Sequence, residues 1–184
     1  MTAIPIVKMG NPVLQAVAAP IEDPISPEIR ELVEVMRESM DAAGGVGLAA
    51  PQIGVSLRLV IFEVSVERLQ DEDEDVLIGV PSTILINPVI TPVGEAKELG
   101  WEGCLSVPGM RGLVPRYKEI LYSGLNIDGE SVAGEAKGFH ARVIQHECDH
   151  LDGILYPERM TNLKHLVYES EMHAFMESFK ALPE

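Results

Sequence analysis

The sequence is short of cysteine, of basic side chains and of long apolar runs, and each shortage removes a class of protein. Two cysteines, Cys104 and Cys148, in 184 residues do not make a disulfide framework, so a reducing compartment is expected. Lys and Arg together number 14 against 29 Asp and Glu, giving a formal net charge of -15. Such a surface repels phosphate backbones and anionic lipid heads, which excludes nucleic-acid or membrane binding by charge alone. There is no stretch of about 18 apolar residues, hence no expected transmembrane helix. The opening segment MTAIPIVKMGNPVL has neither a basic region followed by an apolar stretch nor an Arg-rich amphipathic pattern, and a cytoplasmic protein is the expectation. Internal repeats and a βαβ rhythm are also missing, which argues against a doubly wound sheet.

What is present suits one globular unit. The 46% hydrophobic content can fill a single core, and the length predicts one domain over residues 1–184. Residues 1–25, rich in Pro, read as an extended arm. Ser26-Pro27-Glu28 offers an N-cap, a proline at the first helical position and an early acid. Ile29, Leu32, Val33, Met36 and Met40 then recur at helical spacing, predicting a helix from about 27 to 43 that ends at Gly44-Gly45. Leu57–Val64 and Thr83–Asn87 read as strands, and the acidic run Asp71–Asp75 between them as a solvated loop that lacks the spacing of a calcium loop. Asp128-Gly129 predicts a hairpin joining Lys118–Ile127 to Glu130–Lys137. A second helix is expected over about 138–151, with Gly153 as its cap, and a third after Thr161 with Leu163, Leu166, Val167, Met172, Phe175, Met176 and Phe179 on its apolar face. The tail is expected to hold no strand. The predicted class is α+β, with antiparallel and mixed sheets around a central helix.

That second helix carries His146-Glu147-Cys148-Asp149-His150, an H-E-x-x-H pattern. At about 100° per residue the two histidines lie roughly 40° apart, so their imidazoles can converge on one cation. Glu147 sits about 60° from His150, close enough to serve a water on that cation without being a ligand. Cys148 points about 160° away and reads as a buried apolar thiol. A hydrolytic site of this kind takes three protein ligands and leaves one position for water. Cys104, in the Glu102-Gly103-Cys104-Leu105-Ser106 stretch, supplies the third. His140, His165 and His173 share no partner spacing and read as surface or helix-packing residues.

Three segments together resemble the peptide deformylase family: Gly45-Val46-Gly47-Leu48-Ala49-Ala50-Pro51-Gln52, Glu102-Gly103-Cys104-Leu105-Ser106, and Gln145-His146-Glu147-Cys148-Asp149-His150-Leu151. Their order matches the family's. The resemblance implies a hydrolase that removes the formyl group from the N-terminal formylmethionine of nascent chains. It implies one divalent ion on Cys104, His146 and His150, with Fe2+ as the physiological metal and Zn2+, Ni2+ or Co2+ as substitutes. Glu147 would be the general base and then the general acid. Gln52, through its side-chain amide, and Leu105, through its backbone N–H, would bind the developing oxyanion. Substrate would add as a β-strand against Val46, Gly47 and Gly103, with Phe139, Val143 and His146 walling the methionine pocket and Glu102 near its rim. Arg142 departs from the pattern, because some deformylases carry an apolar residue there.

The segments WEGCLSVPGMRGLVP and QHECDHLDG look most like deformylases of organelles and some proteobacteria, and with no targeting leader a bacterial enzyme is expected. Ribosome docking through a basic C-terminal helix is not supported, since Lys164 and Lys180 are outnumbered by Glu169, Glu171, Glu177 and Glu184. Two other classes compete. A zinc metalloprotease would recruit a downstream His or Glu, and a structural zinc module would need a fourth protein ligand.

Overall fold

The N-terminal arm ties together the three motif segments that lie far apart in the chain. In the computed structural model, which describes residues 2–66 and 79–180, Val7 N–H donates to the carbonyl of Gln52, Met9 N–H to that of Ser106, and Ala18 N–H to that of Leu151. The acidic run Asp71–Asp75 lies outside the described residues. A short 3-10 turn, Pro12–Gln15, interrupts the arm, capped by the Asn11 side chain.

Helix α1 spans Pro27–Ala43, as the caps predict: Ser26 Oγ accepts from the Ile29 N–H, and Gly44 takes the left-handed conformation at φ 66°. The chain then forms β1 (Gly47–Ala49), a 3-10 turn (Ala50–Ile53), β2 (Leu59–Val64) and β3 (Val80–Pro92). Next come β4 (Lys97–Cys104), β5 (Val107–Tyr117), β6 (Glu119–Leu125) and β7 (Ser131–Lys137). Helix α2 (Gly138–Leu151) follows, then α3 (Tyr156–Arg159), β8 (Leu166–Tyr168) and α4 (Met172–Lys180).

The strands form a five-stranded sheet in the order β1-β2-β3-β6-β7 and a three-stranded sheet in the order β4-β5-β8. Every pairing between described strands is antiparallel, against the expectation of partly mixed sheets. The parallel contact is an isolated bridge from Ala19 to Leu57. Parallel neighbours need long crossover connections, whereas the connections β4–β5 and β6–β7 turn straight back within one sheet.

The five-stranded sheet is covered on both faces, which is why β2 reads as an almost unbroken apolar run. Leu59 and Ile61 pack with Val33, Met36 and Met40 of α1. The alternate residues Val60, Phe62 and Val64 pack with Val143, Ile144, Cys148 and Leu151 of α2. Each such large side chain, once buried, contributes about 1.5–3 kcal/mol relative to exposure. Val107, Val114, Leu155 and Tyr156 make a smaller core under the second sheet.

Strand β3 runs well past the expected end at Asn87. Pro88 has no N–H to give, so the ladder shifts register between Ile86 and Val89, with Asn87 at φ 51°. The Asn87 side chain, turned outward there, accepts from Ile21 N–H and donates to the Ile21 carbonyl, anchoring the arm. The tail differs more. Asn162, not Thr161, caps only a 3-10 turn (Leu163–His165), and Leu166–Tyr168 form β8 against β5, where no strand was expected. Three residues are too few to show a strand period, and an open edge of β5 decides their conformation. The final helix starts only at Met172. Among the described residues no helix is long and apolar enough to cross a membrane.

Candidate metal centre and active-site cleft

Two sheet edges and one helix meet around a cavity of about 390 Å³. Strand β1 is an edge of the large sheet and β4 an edge of the small one, and both line the cavity, with Val46 and Gly47 from the first side and Glu102, Gly103 and Cys104 from the second. Helix α2 adds Phe139, Arg142, Val143, His146 and Glu147.

On α2 the His146 and His150 rings lie 5.1 Å apart, centre to centre, as residues one turn apart must. The sulfur of Cys104, at the end of β4, is 3.4 Å from Nε2 of His150. One ligand atom from each of Cys104, His146 and His150 lies within 4.8 Å of the other two. The donor set suits a single divalent cation. His146 Nδ1 is held by Glu102 Oε2 at 2.8 Å, which leaves Nε2 to face the sulfur and the second imidazole. Burial disfavours charge on both rings, but Cys104 and Glu102 raise the pKa of His146 well above the ordinary histidine value, while His150 falls well below it.

Glu147 projects into the same space. Its Oε2 has no hydrogen-bond partner among protein atoms, and burial pushes its carboxyl up to about 7. A Cβ on Gly47 would overlap this carboxylate, so a larger residue there on β1 would require Glu147 to move. Gln52 is fixed from behind: its Oε1 accepts from Ala49 N–H at 2.9 Å. Its amide nitrogen is thereby aimed inward, 3.2 Å from Ser106 Oγ and 3.6 Å from the Cys104 sulfur. Leu105 lines the cavity between them.

Glu102 belongs to that lining too, but its carboxylate is not at the rim. It is buried, and it accepts from Arg116 Nε and Nη2 at 2.8 and 3.0 Å, from Arg142 Nη1 at 2.9 Å and from His146 Nδ1. Burial alone would raise its pKa; the hydrogen bonds from Arg116 and His146 outweigh that and hold it well below the carboxylate range. Arg116 also bonds to Asp149, which in turn takes both Nε and Nη2 of Arg159. A chain of alternating charges thus runs from His146 toward the surface.

The polypeptide deformylase profile matches residues 3–166. The chain belongs to this family. Peptide deformylase 1 of Bordetella pertussis is 58% identical over 163 residues, 89% of this chain and 90% of its own. Peptide deformylase 1 of Nitrosomonas europaea is 51% identical over 164 residues, 89% and 91% of the two chains. Among solved structures, the Met-Ala-Ser-bound class I type b peptide deformylase of Acinetobacter baumannii superposes with a TM-score of 0.79 at 35% identity, covering 86% of this chain and 99% of that one. The actinonin complex from Synechococcus elongatus gives 0.78 at 32% identity, covering 90% and 82%. Family and fold together support an enzyme that takes formyl groups from nascent peptides.

The structure gathers every expected site residue at one cleft and adds some that the sequence did not suggest. Arg116, Asp149 and Arg159 form the ion chain, Ser106 takes the Gln52 amide, and Tyr156 stacks on His146 with 6.2 Å between ring centres. A charged residue on the otherwise apolar run Leu113-Val114-Pro115-Arg116-Tyr117 was the available signal for Arg116. Cys148 is buried and faces away from the cluster, its thiol pushed up to about 12 by burial. His140 lies against the rings of Phe62 and Tyr122, and His173 is exposed.

Proposed function

We propose that this chain hydrolyses the formamide bond of formylmethionyl peptides, releasing formate, with one divalent cation held by Cys104, His146 and His150. The observation that carries this reading is the convergence of the Cys104 sulfur, from a distant strand, on the two histidines of an H-E-x-x-H helix beside an unpartnered Glu147. In this reading α2 is the centre of a single domain, and both sheets are arranged around it.

When bound, the cation acidifies a water molecule and polarises the formyl carbonyl. Glu147 would accept a proton from the water whose oxygen bonds to the formyl carbon and would deliver it to the departing amine nitrogen as the C–N bond breaks, giving formate and a free N-terminus. The Gln52 amide and the Leu105 N–H donate to the carbonyl oxygen as it gains charge. Val46, Gly47 and Gly103 offer backbone groups to an extended peptide that adds to the open sheet edges. Phe139, Val143 and His146 wall the methionine side chain. Glu102 acts behind this wall, holding His146, not at the rim. The substrates are nascent chains in a bacterial cytoplasm. A basic C-terminal helix is not the proposed route to the ribosome: among the described residues of the tail Lys164 and Lys180 stand beside Glu169, Glu171 and Glu177.

The test is formate release from formyl-Met-Ala-Ser beside its acetyl analogue. The formyl peptide alone should be cleaved, and Glu147→Gln should lower the rate about 10²–10⁴-fold with the metal retained. Comparable cleavage of both peptides, or an unchanged rate in the variant, defeats the reading. Fe2+ is the proposed native ion, and anaerobic purification with metal analysis checks it; equal activity of anaerobic iron and aerobic zinc forms would count against iron.

A further inference from the structure

Arg142 lies one turn before His146 on α2, yet it is a buried cation at 6% exposure. Its Nη1 donates to Glu102 Oε1 and to the Val114 carbonyl, both at 2.9 Å, and its Nη2 to the Glu98 carbonyl at 3.1 Å. Strand β4 is emptied to admit it, because a Cβ on Gly100 would overlap the guanidinium. The two oxygens of Glu102 divide their partners. Oε1 takes Arg116 Nε and Arg142 Nη1, while Oε2 takes Arg116 Nη2 and His146 Nδ1. With two donors on each oxygen the carboxylate has no freedom to tilt, and neither does the imidazole it holds.

We propose that Arg142 is a positioning residue: by pinning Glu102 it fixes the carboxylate that aims His146 at the cation, and so links the wall of the side-chain pocket to metal retention. This rests on the reading that Cys104, His146 and His150 hold the ion. Without Arg142, Oε1 keeps one donor and the carboxylate can swing about the Arg116 fork. Outer partners of metal-bound histidines typically change metal affinity about 10–100-fold, and Arg142 acts one bond further out, at the low end of that range.

The experiment uses the Co2+-loaded protein with excess chelator, following loss of the cobalt–thiolate absorption at 25 °C. Arg142→Met should release Co2+ about tenfold faster than wild type. Arg142→Lys should fall between, since one ammonium cannot reach the carboxylate and two strand carbonyls together. Thermal unfolding of the metal-free forms is measured alongside. Lower thermal midpoints with unchanged Co2+ release would show mere packing and overturn the proposal. If Arg142→Met does not fold, Arg142→Lys decides: release at the wild-type rate overturns it. The functional reading fails separately. A wild-type Co2+ protein that releases no formate discards deformylation but leaves the order of release rates to judge Arg142. A wild type that binds Co2+ without a thiolate band overturns the ligand assignment and this inference with it.

Discussion

At the inner end of the cleft Arg116 Nε sits 2.8 Å from a Glu102 oxygen, and at its mouth Arg111 Nε sits 2.9 Å from one of Glu169. The bonds join the same two residue types at nearly the same length. Their surroundings differ: the inner side chains are 5% and 3% exposed, the outer ones 37% and 51%. Exposed pairs compete with water and salt and are worth about 0–1 kcal/mol, whereas removing one partner of a buried pair strands a charge. Distance therefore does not rank the two. The inner group is a fixed part of the proposed metal centre, and the outer pair lies exposed at the rim.

The largest expected effect follows from emptying the inner site. Glu102→Ala leaves the Arg116 and Arg142 guanidinium groups without their shared carboxylate, and should lower stability by about 3–5 kcal/mol, read from denaturant unfolding of the metal-free protein. A loss below about 1 kcal/mol would mean that the inner pair behaves like the outer one, and the contrast would collapse. Gly47→Ala sharpens it from the opposite wall. The added methyl group meets the Glu147 carboxylate, and displacement of that group by about 1 Å should slow formate release about 10²-fold. Stability should change far less than in Glu102→Ala, and a wild-type rate would show that Glu147 is free to move aside. Glu169→Gln should have the smallest effect, at most about 1 kcal/mol, and that difference should vanish in about 1 M salt. A larger or salt-insensitive effect would place Glu169 inside the structural core.

Much of the inner site was legible in the sequence because its signals are local. His146 and His150 announce their shared face through helical spacing, and α1 shows both of its ends in Ser26-Pro27 and Gly44. Strands β4 and β5 were hidden by residues with weak strand preference, Gly100, Gly103, Pro108, Gly109, Gly112 and Pro115. The structure gives a tertiary reason for two of these. Gly100 makes room for Arg142, and Gly112 for Tyr156 and Met160, both approaching from distant parts of the chain. No local pattern records such a reason. The burial of the Glu102 carboxylate was hidden likewise, since its partners Arg116 and Arg142 lie 14 and 40 residues away. Tail strand β8 owes its conformation to the β5 edge and not to its own three residues.

X-ray absorption at the metal edge of the reconstituted protein tests the central claim most directly. The account predicts one sulfur at about 2.3 Å and two imidazole nitrogens at about 2.0–2.1 Å for Zn2+, with the remaining position filled by a light atom from solvent. The sulfur signal should disappear in Cys104→Ser and persist in Cys148→Ser. Two sulfurs, a sulfur that survives Cys104→Ser, or a fourth protein ligand closing the site would contradict it.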